Sequence, residues 1–202
     1  MTVAARRPRE PAATRADRGP RVPGEGGSGT DIGGAVEPDE YATLVGKVVI
    51  NLQSLEFVLR GFLYECGDPP HNPLPQGADL NSYRRGDVVP LNAMTCYDSL
   101  GDLIKRYNTR VAAAHPEWVV DPTIVELRDA LAHGRISAND PSADMFLLKF
   151  GGAPGDTMRV TYAQQVTREW LKSQVRTVLV EVQKTANALW TSFGPRQQTG
   201  TG

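Results

Sequence analysis

Arg128 and His133 stand five positions apart in the segment 124–135, and their side chains are suited to acid–base and phosphate chemistry. Histidine titrates near neutral pH and can move a proton, whereas arginine stays charged and offers a planar fork of donors that fits phosphate. Cleavage of RNA without a metal needs both functions, because one group must handle a proton and a cation must stabilise charge on the phosphorus oxygens. By residue type the pair fits phosphodiester chemistry, and it fits a structural role as well.

Asp129 and Arg135 are candidates for supporting roles beside this pair. Asp129 precedes His133 by four residues, so on a helix its carboxylate can meet the imidazole, favour the charged form and orient the ring. Arg135 follows His133 by two residues and adds a positive charge that suits a phosphate backbone.

Helical geometry separates Arg128 from His133, because five residues at ~100° each place them about 140° apart. Two features can bring them together. His133 precedes Gly134, where the backbone can leave helical angles, and a two-fold dimer can present Arg128 of one chain near His133 of the other. The alternative is structural: both cations complement a helix dipole, and Asp129 forms a surface ion pair.

The elements that must position these residues are predicted from apolar periodicity. A long first helix is expected from about Pro38 to about Cys66, followed by a proline-rich loop over residues 68–93 with a short extended piece at Val88–Val89. A second helix is expected from about Asp98 to Ala113. The predicted inner stripe of the first helix is Tyr41, Val45, Val48, Leu52, Leu55, Leu59 and Phe62.

A short third helix is predicted to carry the Arg128–His133 motif. Asp121 is a good N-cap for it, with Pro122 at the first helical position, and Gly134 is placed to end it. Its inner face is formed by Ile124, Leu127 and Leu131.

Two short segments rich in strand-forming residues, Met145–Phe150 and Met158–Tyr162, predict a β-hairpin before the final helix. Thr161 and Gln164 fit a capping box for that helix, and helical spacing continues through the β-branched run 178–182. The predicted inner face is Leu171, Val175, Val178, Val182, Ala186, Leu189 and Phe193. The expected fold class is mainly α, a bundle of four to five helices with a small hairpin before the last helix.

The Arg128–His133 segment resembles the R-x(4–6)-H motif of HEPN domains, in which the residue after the arginine is typically polar, as Asp129 is here. The order of elements over residues 40–193 is similar as well. The resemblance implies a dimer with the motif lining an interface cleft, and RNA cleavage without metal or cofactor. Related domains often place an acid on the first helix, which makes Glu56 a supporting candidate; the alternative is a surface pair with Arg60.

The sequence departs from one group within that family. HEPN toxins paired with a nucleotidyltransferase antitoxin often extend the motif to R-x(4–6)-H-x-Y, whereas Arg135 occupies the tyrosine position here. Modification of a tyrosine at this site by a partner enzyme is therefore not expected.

Composition divides the chain of 202 residues into three parts. Residues 1–36 form a Gly/Pro/Arg-rich tail with six Arg against four acids, predicted to be disordered because few side chains can be buried. Residues 37–195 form the HEPN-like helical domain, and 196–202 a second disordered tail. Without the first tail the chain has 16 basic against 19 acidic residues, so an RNA site must be a local concentration of positive charge.

Several classes are not expected. No apolar run approaches the roughly 18–20 residues of a membrane span, and the Met1 end has no apolar stretch of a signal peptide, which predicts a cytoplasmic protein with no membrane contact. Cys66 and Cys96 cannot form a disulfide framework or a paired zinc site, and no metal ligand set is predicted.

Two functional hypotheses follow. The first is a dimeric, metal-independent endoribonuclease of HEPN type, a toxin or phage-defence effector, with Arg128 and His133 as catalytic residues and RNA as substrate. The second is a non-catalytic HEPN-like module that binds a nucleotide, RNA or a protein partner such as an antitoxin. The acidic balance of the domain supports the second, because nucleic-acid binders usually show a basic surface.

Overall fold

The computed structural model describes residues 38–75, 80–137 and 145–194. Contacts divide the chain into two units, Met1–Gly34 and Ala35–Gly202, and all described residues belong to the second unit. Both predicted disordered tails lie outside the described residues.

The described part is mainly helical with one small sheet, which confirms the predicted fold class. The four helices are α1 (Pro38–Glu65), α2 (Leu100–Val111), α3 (Ile124–His133) and α4 (Arg168–Phe193). Two short 3-10 turns, Leu80–Ser82 and Pro116–Trp118, lie in the connections. No strand forms at Val88–Val89, where Val88 is almost fully exposed, so the predicted extended piece there is wrong.

Helices α1 and α4 pack side by side along their length. Near their N-termini Arg168 and Glu40 form an ion pair of 2.7 Å, and near their C-termini the rings of Phe62 and Phe193 meet edge to face with centroids 5.5 Å apart. Because the partners advance in the same direction along both helices, α1 and α4 run parallel.

The main core is built from the apolar faces of all four helices. On α1 the predicted stripe is buried from Val48 to Phe62, while Tyr41 and Val45 are half-buried. On α2 the predicted inward residues are all buried, namely Leu100, Leu103, Ile104, Tyr107 and Val111. Burial of these apolar side chains provides most of the favourable free energy that stabilises the helical bundle.

By length and composition α1 could cross a membrane, since an 18-residue window within Asp39–Glu65 reaches a mean hydropathy of 1.4. The expectation that no apolar run is long enough therefore fails for this helix. Packing accounts for part of this hydropathy, since Leu55 and Leu59 are fully buried in the bundle. Ile50 and Phe57 are apolar on the exposed side, and only 28% of the window is buried.

The end of α1 and the loop that follows are fixed to α2 by a charged cluster. Gly67 adopts a positive φ of 66°, and the amide of Asp68 donates back to the Leu63 carbonyl at 3.0 Å, which closes the helix. The Asp68 carboxylate accepts 2.6 Å hydrogen bonds from Arg106 and Arg110 of α2. Burial opposes ionisation of Asp68, but the hydrogen bonds from Arg110 and Arg106 outweigh it and hold its pKa below the usual range.

Three antiparallel strands form one sheet in the order β1 (Arg135–Ser137), β2 (Met145–Gly152) and β3 (Met158–Val166). The predicted hairpin corresponds to β2 and β3, which are each longer than expected. Strand β1 was not predicted, because three residues are too short to show an alternating pattern and the pairing with β2 is a tertiary contact.

The predicted capping box of the last helix is wrong. Thr161 and Gln164 lie inside β3, where Gln164 pairs with Leu147 of β2. The N-cap is Thr167, whose hydroxyl accepts from the Trp170 amide at 3.1 Å. The sheet pairing extends β3 beyond the predicted end and moves the start of the helix six residues along the chain.

The inner face of α4 is also displaced from the prediction. Leu171 and Val178 are buried as expected, and Val175, Val182 and Leu189 are half-buried against the core. The other fully buried positions, which were not predicted, are Glu181, Thr185 and Ala188. The two polar residues are buried because their groups find partners: Glu181 pairs with Lys184 at 2.6 Å, and the Thr185 hydroxyl donates to the Glu181 carbonyl at 2.8 Å.

The motif helix α3 begins later than predicted and ends where predicted. The Asp121 carboxylate accepts from the Thr123 amide at 2.9 Å and shapes the preceding turn, while Thr123 takes the N-cap position. Gly134 leaves the helix in an extended conformation, with φ −77° and ψ 176°. A Cβ on Gly134 would meet the Ala130 carbonyl oxygen, the Leu147 side chain at 2.9 Å and the Leu148 carbonyl oxygen at 3.0 Å.

Gly134→Ala is expected to destabilise the protein by about 1–3 kcal/mol, because the added methyl group has no space between α3 and β2. The free energy of unfolding in guanidinium chloride measures the effect. Gly152→Ala is the matched control, since nothing lies within 4 Å of a Cβ there. Equal effects of the two substitutions would contradict the close packing at Gly134.

Candidate functional site

A groove of about 340 Å³ lies between α1 and α3. Glu56 of α1 and Arg128 of α3 both line it, so the structure brings together two of the residues that the sequence singled out. The remaining lining residues are Val49, Leu52, Gln53, Leu131 and Ala132. The groove is thus largely apolar, with one acid and one guanidinium on its walls.

The Arg128 side chain is 36% exposed and donates one hydrogen bond, from Nη1 to Oδ1 of Asp129 at 3.1 Å. Within the described residues its other guanidinium donors make no hydrogen bond. They remain able to bind an anion such as phosphate, for which the planar fork is suited.

Glu56 has a structural partner as well as a place in the groove. Its Oε1 accepts from Arg60 Nη2 at 2.8 Å and Nε at 3.2 Å. Arg60 is only 11% exposed and also donates to the carbonyls of Ala93, Cys96 and Asp98, which anchors the chain before α2. The Glu56–Arg60 ion pair, which was the alternative to a supporting role of Glu56, is therefore present. It is half-buried and does not lie on the open surface.

His133 is exposed at the last position of α3 and lies outside the groove of Arg128. It makes no hydrogen bond or ion pair within the part of the chain that the structure describes. Because α3 stays helical up to His133, the helical separation of about 140° from Arg128 holds. A single chain does not place the two side chains in one cleft.

Asp129 does not meet His133, so the expected carboxylate–imidazole contact is wrong for the single chain. Its two oxygens bind Arg128 at 3.1 Å and Lys149 of β2 at 3.3 Å. Burial opposes ionisation of Asp129, but hydrogen bonds from Lys149 and Arg128 outweigh it and hold its pKa below the usual range. The turn at Gly134 places β2 against α3, so that Lys149, and not His133, binds the Asp129 carboxylate.

Arg135 opens β1 and is exposed. Its guanidinium carbon lies 5.6 Å from the centre of the Phe150 ring on β2. It is not in the groove of Arg128, so the structure places it on the sheet and not beside the expected cleft.

A second cleft, of about 590 Å³, borders the charged cluster at the end of α1. Its lining mixes both signs of charge, with Asp68 and Asp102 against Lys105, Arg106 and Arg110. Across residues 38–75, 80–137 and 145–194, no three His, Cys, Asp or Glu side chains form a group that could hold a metal ion.

Lys149 is the site residue that sequence reasoning missed. It lies 20 positions after Asp129, and nothing in its local sequence marks it, because its role depends on how the sheet docks on α3. Alternation along β2 could have placed it on the same side as the buried Leu147.

Comparison with protein-family models, with curated proteins and with solved structures finds no match to this chain. The similarity to HEPN domains that the motif suggests therefore stays a prediction.

Double-mutant cycles with alanine at positions 129, 133 and 149 are expected to separate the two possible partners of Asp129. Asp129 and Lys149 should show a coupling of about 0.2–1 kcal/mol in the free energy of unfolding, as partly exposed ion pairs do. Asp129 and His133 should show none within error. A larger coupling to His133 than to Lys149 would restore the imidazole-orienting role of Asp129.

Proposed function

We propose that the chain is a metal-independent endoribonuclease of HEPN type that acts as a homodimer, with Arg128 and His133 as catalytic residues. One observation carries the proposal: the short helix α3 presents Arg128 in an open groove and His133 exposed at its end. A second chain related by a two-fold axis supplies the missing half of each site, so that Arg128 of one chain acts with His133 of its partner.

The chemistry assigned to the two residues needs no further group. The RNA 2′-oxygen attacks the adjacent phosphorus, the bond to the 5′-oxygen breaks, and the products are a 2′,3′-cyclic phosphate and a 5′-hydroxyl. His133 removes the 2′-hydroxyl proton while a solvent water protonates the leaving 5′-oxygen, or His133 protonates the leaving oxygen while water accepts the 2′-hydroxyl proton. The Arg128 guanidinium stabilises the negative charge that develops on the phosphorus oxygens.

The local charge supports the role of Arg128 even though the domain is acidic. Arg128 shares Asp129 with Lys149, so the three groups together have one net positive charge. Asp129 thereby fixes the position of the arginine without neutralising the cluster. A small site of this kind can bind one phosphate without a broad basic surface.

An exposed apolar side of α1 supports the dimer. Ile50 and Phe57 are 62% and 59% exposed, and both lie on α1 beside the groove residues Val49 and Glu56. Exposed apolar clusters of this kind mark interaction surfaces. A second copy that covers this side would bury them and complete the groove.

The biological setting belongs to the proposal as well. A cytoplasmic toxin or phage-defence effector fits the resemblance, and a protein partner such as an antitoxin would then restrain the activity. A non-catalytic binding module is the second candidate, because the groove is largely apolar and contains the acidic Glu56. Its signature is a stable complex with a protein or nucleotide and no RNA cleavage.

Arg128→Ala and His133→Ala are each expected to slow cleavage of a single-stranded RNA by roughly 100-fold or more, because each removes one of two required functions. Cleavage is followed on a labelled RNA by gel, product ends are identified by mass spectrometry, and circular dichroism checks the fold. Excess EDTA should leave the rate of the unsubstituted protein unchanged.

Arg176→Ala and His71→Ala are the matched controls, since both remove an exposed residue of the same type elsewhere. They should cleave at the unsubstituted rate. The proposal is wrong if EDTA abolishes cleavage, or if the Arg128 and His133 variants cleave as fast as the controls.

A further inference from the structure

The three-stranded sheet has one face packed against α3 and one face open. Side chains alternate along β2, and Leu147 is buried while Lys149 reaches Asp129 of α3. Phe146, Leu148 and Phe150 therefore point to the opposite side. We call this side the outer face of the sheet.

Directly paired residues of neighbouring strands share a face, which gives the remaining members of the outer face. On β1, Arg135 pairs with Leu148 and Ser137 with Phe146. On β3, the partners of Phe150, Leu148 and Phe146 are Val160, Ala163 and Gln165. A register shift after Lys149 leaves Thr161 unpaired and keeps this alignment.

The outer face contains aromatic and aliphatic side chains that are open to solvent. Phe146 is 43% exposed, Phe150 37% and Val160 50%. Phe146 and Phe150 are about 13 Å apart along β2, at ~3.3 Å per residue. Two exposed phenylalanine rings on the central strand of a sheet can each receive a stacked base.

The charge at the edge of the outer face indicates an anionic ligand. The three strands contain Arg135, Lys149 and Arg159 and no Asp or Glu, in contrast to the acidic balance of the domain. Lys149 is bound to Asp129 on the side of α3, and Arg159 pairs with Gly151 on that same side. Arg135 is therefore the cation of the outer face, and it has no acidic partner among the described residues. Arg135 lies over the edge of the outer face with its guanidinium 5.6 Å from the Phe150 ring. Such a pairing offers a second stacking plane and a cation for phosphate.

The outer face adjoins the proposed catalytic histidine. Only Gly134 separates Arg135 from His133, so their Cα atoms lie within about 7 Å of each other. A strand of RNA bound to the sheet would pass close to His133.

We propose that the outer face of the sheet, centred on Phe146 and Phe150 with Arg135 at its edge, binds single-stranded RNA by base stacking. The choice of RNA as ligand rests on the proposed ribonuclease function; the stacking itself is a property of the sheet and accepts single-stranded DNA equally. The face delivers the strand to His133 and is distinct from the groove that contains Arg128.

The test is the binding of a short fluorescein-labelled single-stranded RNA to the full chain, measured by fluorescence anisotropy with His133→Ala as the parent so that the RNA stays intact. Phe146→Ala and Phe150→Ala should each weaken binding by about tenfold, the loss typical of one stacked base. Arg135→Ala should weaken it and reduce its dependence on salt, because one phosphate contact is lost.

Trp190→Ala is the matched control, because it removes an aromatic side chain that is 67% exposed on α4 and should leave binding unchanged. Unlabelled single-stranded DNA of the same sequence should compete, and duplex RNA should not, since its bases are already paired and stacked. Circular dichroism and thermal melting confirm that each variant is folded.

Unchanged binding in both phenylalanine variants would overturn the inference, even if the unsubstituted protein cleaves RNA. A change from dimer to monomer in light scattering caused by Phe146→Ala would also overturn it, because a second copy would then cover this face. Selective loss of binding supports it even if the unsubstituted protein cleaves no RNA, in which case only the proposed catalytic function fails.

Discussion

The absence of space for a side chain at Gly134 is the steric constraint on which the rest of the site depends. The backbone there passes against the Ala130 carbonyl and the Leu147 side chain, between the end of α3 at His133 and the start of β1 at Arg135. The turn presses the sheet against α3 and brings Lys149 within 3.3 Å of Asp129. Only close packing of this kind fixes an ion pair between partly exposed side chains at a defined position.

The turn at Gly134 places three residues that are close in sequence on three separate surfaces. Arg128 lines the groove with α1, His133 is exposed at the end of α3, and Arg135 lies on the outer face of the sheet. The surrounding domain is acidic, and each of these places contains a residue that can be cationic. In the proposed mechanism the outer face binds RNA, Arg128 stabilises charge and His133 transfers a proton. Arg128 and His133 of one site would then come from different chains of a dimer.

The elements with a strong apolar period were predictable from the sequence, whereas those set by tertiary contacts were not. The inward faces of α1 and α2 match their periodicity, and Gly134 ends α3 as expected. Strand β1 is too short to carry a pattern, and pairing with β2 extended β3 over the expected capping residues. At the site, Glu56 and Arg128 line one groove, but His133 lies outside it, and helical spacing alone had assigned Asp129 to His133. A lysine 20 residues away in sequence takes that carboxylate instead, and only the docking of the sheet reveals it.

The central claim is that Arg128 and His133 act from different chains, and mixing two inactive variants tests it most directly. Arg128→Ala and His133→Ala proteins are combined in equal amounts under conditions that allow subunit exchange, and RNA cleavage is measured. The account predicts recovery to about a quarter of the unsubstituted rate, because half of the dimers are mixed and each of these has one intact site of two. If subunit exchange is demonstrated and no activity returns, the account is contradicted. Either both residues then act within one chain, or they do not form a catalytic site.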